Sequence, residues 1–129
     1  MEMNVLEGYV TAFTRYAEFS GRSSRMEFFP IYLTSHLLML ISFLFENYIE
    51  GFDVIAFIIQ FLLIGSLIPT LAAQVRRLHD IDKEGRDFFV LLLPIVGPIF
   101  LFMWFCRRGT VGDNRYGPDP LAPAVPEAG

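Results

Sequence analysis

VIAFIIQFLLIGSLIPTLAAQV, residues 54–75, contains no Asp, Glu, Lys or Arg. About 20 predominantly apolar residues in helical form cross a hydrocarbon core of roughly 30 Å. Outward from it lie two more charge-free stretches, FFPIYLTSHLLMLISFLF at 28–45 and FFVLLLPIVGPIFLFMWFC at 88–106. A soluble domain of this size can bury one such segment, but three leave almost no polar surface for water. The fold class is therefore read as all-α: an integral membrane helical bundle of three transmembrane helices, preceded by an interfacial amphipathic helix. One domain over residues 1–120 is expected, with 121–129 as a flexible C-terminal tail rich in Pro and Ala.

The composition agrees. Of 129 residues, 53% are hydrophobic and 19% charged, below the roughly 25% charged usual in soluble domains. A net charge of −4 without a broad basic face argues against a nucleic-acid partner. The single cysteine, Cys106, excludes an intrachain disulfide and a multi-cysteine metal site. It reads as a small hydrophobe at the end of an apolar run, with juxtamembrane acylation as the minor reading. Nothing calls for a cofactor or a metal. The N-terminus, Met-Glu-Met-Asn-Val, lacks the basic region and short apolar core of a cleavable signal, so the first span is expected to direct insertion.

Residues 4–19 place Leu6, Tyr9, Val10, Phe13 and Ala17 at helical spacing, with Glu7, Thr11, Arg15 and Glu18 opposite. Such a helix beside a span suits the interface; packing on the protein's own loops is the competing reading. Ser20-Gly21-Arg22-Ser23 carries turn chemistry, and Ser24-Arg25-Met26-Glu27 matches a capping box that starts the first span. Pro30 falls early in that span, where a missing backbone donor costs least. Pro69 is expected to kink the second span, and Pro94, Gly97 and Pro98 to bend or break the third. Trp104, Tyr32 and Tyr48 sit near span ends as interface anchors do.

Cytoplasmic loops carry an excess of Lys and Arg. Arg15, Arg22 and Arg25 precede the first span, the loop Glu46–Asp53 has three acids and no base, and Arg76, Arg77, Lys83 and Arg86 follow the second span. This puts the N-terminus and the second connection in the cytoplasm and the acidic loop outside. Three full spans then put the tail outside, although it carries Arg107, Arg108 and Arg115. A kinked full crossing is favoured over a re-entrant hairpin broken at Pro94–Pro98, because earlier spans usually fix orientation.

Three polar clusters flank the spans: Gly21-Arg22-Ser23-Ser24-Arg25-Met26-Glu27, Arg76-Arg77-Leu78-His79-Asp80, and a third at 109–120 containing Asn114-Arg115-Tyr116-Gly117-Pro118-Asp119-Pro120. In this order and spacing they resemble the DUF805 family of small bacterial inner-membrane proteins, over about Tyr16 to Pro120. Phe19, Gly21, Arg22, Arg25, Glu27 and Phe28 match the first family motif, with Phe29 where the family usually has Trp. The second and third motifs match throughout. After the second motif the family often has Ser-Gly-Trp-Trp, and here stands Glu84-Gly85-Arg86-Asp87. The resemblance implies a multi-pass protein of the bacterial inner (plasma) membrane and carries over no activity.

The first two clusters fall at the same end of a helical hairpin. Arg22, Arg25, Arg76 and Arg77 can meet Glu27 and Asp80 there, and the leading reading is a polar cap that locks helix ends. Ser24, Glu27 and Gly21, with Asn114, Arg115, Tyr116 and Gly117 of the third cluster, are taken as structural motif positions. The functional reading assigns Arg22, Arg25, Arg76, Arg77, His79 and Asp80 to binding an anionic phospholipid head group. Catalytic or metal chemistry at His79 and Asp80 is disfavoured, because adjacent helical residues point in different directions. His36 and Gln60 lie within spans, where an interhelical hydrogen bond outweighs a relay, since no span contains Asp or Glu. The sequence is thus read as a non-enzymatic accessory module that binds anionic lipid or a membrane-protein partner, or a homo-oligomer. The alternative is an oligomeric small transporter or channel component, and an enzyme acting on lipid ranks third.

Overall fold

The computed structural model describes residues 3–122, and among these the regular elements are helical, without a strand. The helices are α1 (Val5–Thr14), α2 (Arg25–Tyr48), α3 (Asp53–Gly65), α4 (Leu67–Asp80) and α5 (Val96–Cys106), with a 3-10 helix over Gly85–Leu92 before α5. The flexible tail expected at 121–129 lies, from residue 123 on, outside the described residues. Leu121 and Ala122 are held in a turn by the Ala122 amide, which donates to the Asp119 carbonyl at 3.1 Å.

α1 is shorter than the expected 4–19 and starts on a capping box of Asn4 and Glu7. It buries Gly8 and Ala12 against α2 and leaves Leu6 and Val10 outward. The contact has a backbone cause. Pro30 cannot donate to the Met26 carbonyl one turn back, and α1 packs Gly8 onto that carbonyl so closely that a Cβ would lie 2.0 Å from its oxygen.

Among the described residues, α2 is the one helix that alone is long and apolar enough to cross a bilayer. Its 24 residues extend about 36 Å at 1.5 Å per residue. Ser24 caps it by accepting from the Glu27 amide at 3.3 Å. The reciprocal half of the expected capping box is absent, because the Glu27 carboxylate is taken by Arg15 and Arg76 instead.

The second stretch forms a broken helix, α3 and α4 meeting at Ser66 with a bend of 49°. Pro69 lacks the N–H that would hold the Gly65 carbonyl. The freed carbonyl accepts from the Tyr16 hydroxyl at 3.2 Å. α3 is apolar all round and mostly exposed, whereas α4 is buried among α1, α2, α5 and the 3-10 helix.

The third stretch departs from expectation. A helix over 88–106 would separate its ends by about 28 Å. Instead the 3-10 helix and α5 fold back on each other around Pro94, with Gly97 set so close to the Val90 carbonyl that a Cβ would lie 2.0 Å from it. At the tip Ile95 has φ 67° and the Val96 amide donates to the Pro94 carbonyl at 2.7 Å, a tight three-residue turn. The ends of the stretch meet: the Lys83 ammonium lies 4.1 Å over the Trp104 ring, and the Thr110 amide donates to the Asp80 carbonyl at 2.7 Å. The stretch is therefore a hairpin of two short helices and not the single kinked helix expected. Two prolines and a close glycine contact turn the chain back on itself.

Candidate functional site

The hairpin closes the ring of chain around the C-terminal end of α4, and the three polar clusters converge there. Successive helical residues point about 100° apart, so Arg76 and Arg77 diverge. Arg76 reaches the N-terminal segment. Its Nε donates to Ser23 Oγ at 2.9 Å, Nη1 to the Arg15 and Glu18 carbonyls at 3.1 and 2.5 Å, and Nη2 to Glu27 at 3.2 Å. Arg77 reaches the C-terminal segment. Its Nε donates to the Phe105 carbonyl at 3.0 Å, and its other nitrogens donate to Asp80 and the Arg107 carbonyl.

Arg22 ties the first motif to the other two. Its Nε donates to Asp80 Oδ1 at 2.9 Å, Nη1 to the Gly112 carbonyl at 2.7 Å and Nη2 to the Thr110 carbonyl at 2.5 Å. Asp80 thus holds two arginines from different parts of the chain. Arg76 and Arg77 are wholly buried, and Arg22, Glu27 and Asp80 nearly so. Three buried guanidinium groups face two buried carboxylates, Glu27 and Asp80. The surplus positive donors are taken by backbone carbonyls, each guanidinium having five N–H groups to place. No buried side-chain nitrogen or oxygen lacks a partner among the described residues.

The third motif is fitted to the same end of α4. Gly109 lies where a Cβ would meet the Asp80 carboxylate at 2.1 Å. Asn114 Nδ2 donates to the His79 carbonyl at 2.9 Å, and its Oδ1 accepts from the Tyr116 amide at 2.9 Å. Gly117, at φ 133°, closes the turn by pairing with Asn114. This sets the Tyr116 ring flat on His79, centroids 3.9 Å apart and 4° from parallel. Arg115 lies over the Tyr116 ring, 4.9 Å from its centroid, and pairs with Asp82 at 3.1 Å. His79 lies beyond the apolar span, and burial lowers its pKa below the ordinary imidazole value. Its Nδ1 is 3.0 Å from the Gly21 carbonyl, an acceptor, so Nδ1 carries the proton of the neutral ring.

Of the residues expected to bind an anion, the structure brings Arg22, Arg76, Arg77, His79 and Asp80 into this buried clasp. Arg25 stays outside, exposed, with only a 3.4 Å contact to the Cys106 carbonyl. Arg107 and Arg108 follow directly and are exposed too. Sequence reading weighed these two for topology but did not count them among the binding residues, although their place at the end of an apolar run was a signal. It also passed over Ser23, and over Arg15 and Glu18, which extend the clasp. A cleft of about 320 Å³ opens beside it, lined by Asp80, Asp119 and Arg108, more acid than base. No three His, Cys, Asp or Glu side chains among the described residues are grouped to hold a metal. Within the apolar stretches, Gln60 of α3 makes the expected interhelical bond, donating to Glu46 of α2 at 3.0 Å, whereas His36 departs from that expectation and bonds the Tyr32 carbonyl of its own helix.

Residues 16–118 match the sequence profile of a family described as a protein of unknown function, DUF805. The chain is 32% identical over 115 residues to the inner membrane protein YhaI of Escherichia coli strain K12, covering 89% of this chain and 96% of that one. It is 29% identical over 119 residues to the inner membrane protein YhaH of the same strain, covering 89% and 97%. No solved structure matches.

Proposed function

The chain belongs to the DUF805 family, and from that premise we propose that it is a small multi-pass inner-membrane accessory protein that binds anionic phospholipid at its cytoplasmic rim. Its relatives of matching length carry the inner-membrane designation. α2 and the apolar part of the broken pair α3–α4, as far as Val75, form the two crossings. The third apolar stretch is a re-entrant hairpin entered and left on the cytoplasmic side. That arrangement removes the conflict in the charge pattern, since the N-terminal arginines, the second connection and the tail then share one side.

The observation that carries the binding reading is the division of the arginines. Arg15, Arg22, Arg76, Arg77, Arg86 and Arg115 each have a carboxylate within 4.0 Å, while Arg25, Arg107 and Arg108 have none among the described residues. These three stand where α2 begins and α5 ends, at the level of lipid head groups. Each such charge near an anionic leaflet contributes about 1 kcal/mol, and guanidinium offers phosphate two parallel donors. The buried clasp positions the rim.

Native mass spectrometry from phosphatidylglycerol-containing membranes tests this. Arg25→Gln with Arg107→Gln and Arg108→Gln should lower retained anionic lipid per folded molecule several-fold. Equal retention in a well-folded triple variant would contradict it. The same spectra report stoichiometry. A defined oligomer with unchanged lipid would favour the transporter or channel reading, since so few helices enclose no pore alone.

A further inference from the structure

Resting on the two-crossing topology above, we propose that the hairpin 88–106 is a half-depth wedge whose partner is the acyl region of the cytoplasmic leaflet, making the protein sensitive to membrane curvature. Three observations converge. The arms have matched reach: the eight-residue 3-10 helix extends about 16 Å at 2.0 Å per residue and the eleven-residue α5 about 16 Å at 1.5 Å, half of a roughly 30 Å core. The mouth of the hairpin is held together by Lys83 over Trp104, and its α5 arm is fastened to the clasp by Arg77 on the Phe105 carbonyl. The tip is built for hydrocarbon. Leu92, Leu93, Ile95 and Val96 are 78, 56, 80 and 49% exposed. The Leu93, Val96 and Gly97 amides are satisfied locally and Pro94 and Pro98 have no donor to satisfy, so among the described residues of the tip only the Ile95 amide lacks a partner.

The rest of the molecule makes this wedge asymmetric. The buried core of Ala12, Phe28, Ile31, Ala73, Leu78, Leu101 and Phe105 lies wholly in the clasp half. There α1, α4, the 3-10 helix, α5 and the start of α2 pack together. From residue 32 to 68 only Ser42 and Ala56 are buried. That half consists of α3 and the remainder of α2. The cross-section is therefore large in one leaflet and small in the other. Such a body fits best where the clasp leaflet is convex.

The test uses the full chain reconstituted into phosphatidylcholine–phosphatidylglycerol vesicles, with Val111→Cys in a Cys106→Ser background and an impermeant maleimide. Val111 is exposed beside the clasp, so its labelled fraction counts clasp-out molecules. The fraction should rise measurably from large extruded to small sonicated vesicles, whose outer leaflet is the roomier one. Shaving the tip, with Leu92, Leu93, Ile95 and Val96 all replaced by Ala, should weaken that size dependence. Should this variant not fold, shaving the other end with Phe57→Ala, Phe61→Ala and Ile64→Ala should strengthen it. A labelled fraction independent of vesicle size, or unaltered by the variant that folds, would overturn the wedge. Arg86→Cys is labelled in parallel. If positions 86 and 111 report opposite faces, the topology itself has failed; if they agree and size has no effect, only the wedge has.

Discussion

Asp80 is a single carboxylate between two buried arginines, Arg22 and Arg77, that come from the first and second motifs. Removing one partner of a buried ion pair costs about 3–5 kcal/mol, because the other charge is left unpaired. Asp80→Asn strands two. Its thermal unfolding midpoint in detergent, followed by size-exclusion recovery, should fall sharply. Arg86→Gln, at an exposed pair, should stay within about 0.5 kcal/mol of wild type. Equal midpoints for the two variants would contradict the clasp. His79 adds a pH dependence. Burial depresses its pKa in the folded protein, so folding favours the neutral ring. That contribution is complete above the unfolded value of 6.5 and is lost as pH falls toward the folded value. The midpoint should therefore drop as pH is lowered from neutrality through this window. His79→Phe keeps a ring against Tyr116 and should flatten that slope; an unchanged slope would assign the titration elsewhere.

Among the elements, the two bends follow from proline and glycine chemistry. Gly97 has no room for a side chain, its Cβ position lying 2.0 Å from the Val90 carbonyl. Gly97→Val should spread the hairpin arms and speed trypsin cleavage at the basic pair Arg107–Arg108. Ile95→Gly should do the reverse, since φ 67° is a conformation that β-branched residues avoid. Cleavage at wild-type rate in both variants would contradict the hairpin geometry. α2 was legible in the sequence, because an unbroken apolar run and a Ser cap leave one solution. The clasp was half legible. The motif arginines and acids fall at ends of one helical hairpin, but which carbonyls absorb the surplus donors depends on loop paths that no periodicity records. The fold-back of the third stretch was less legible, because hydropathy measures how apolar a segment is, not whether it returns. The contrary signal was Arg107, Arg108 and Arg115 in the tail, which the positive-inside rule already set against a third crossing.

For the whole molecule, the clasp and the hairpin are one claim. Arg22 donates to the Thr110 and Gly112 carbonyls and Asn114 to the His79 carbonyl, so the third motif lies at the same end of the molecule as the first two. Sidedness of the tail is therefore the most direct measurement. In a Cys106→Ser background, Glu50→Cys, Arg86→Cys and Val111→Cys are each treated with an impermeant maleimide, once in cells with a permeabilised outer membrane and once in inverted vesicles. All three positions are exposed. Position 50 should label in cells, and positions 86 and 111 only in inverted vesicles. Labelling of position 111 together with position 50 in cells would mean that the third stretch crosses the membrane, and the clasp as described could not form.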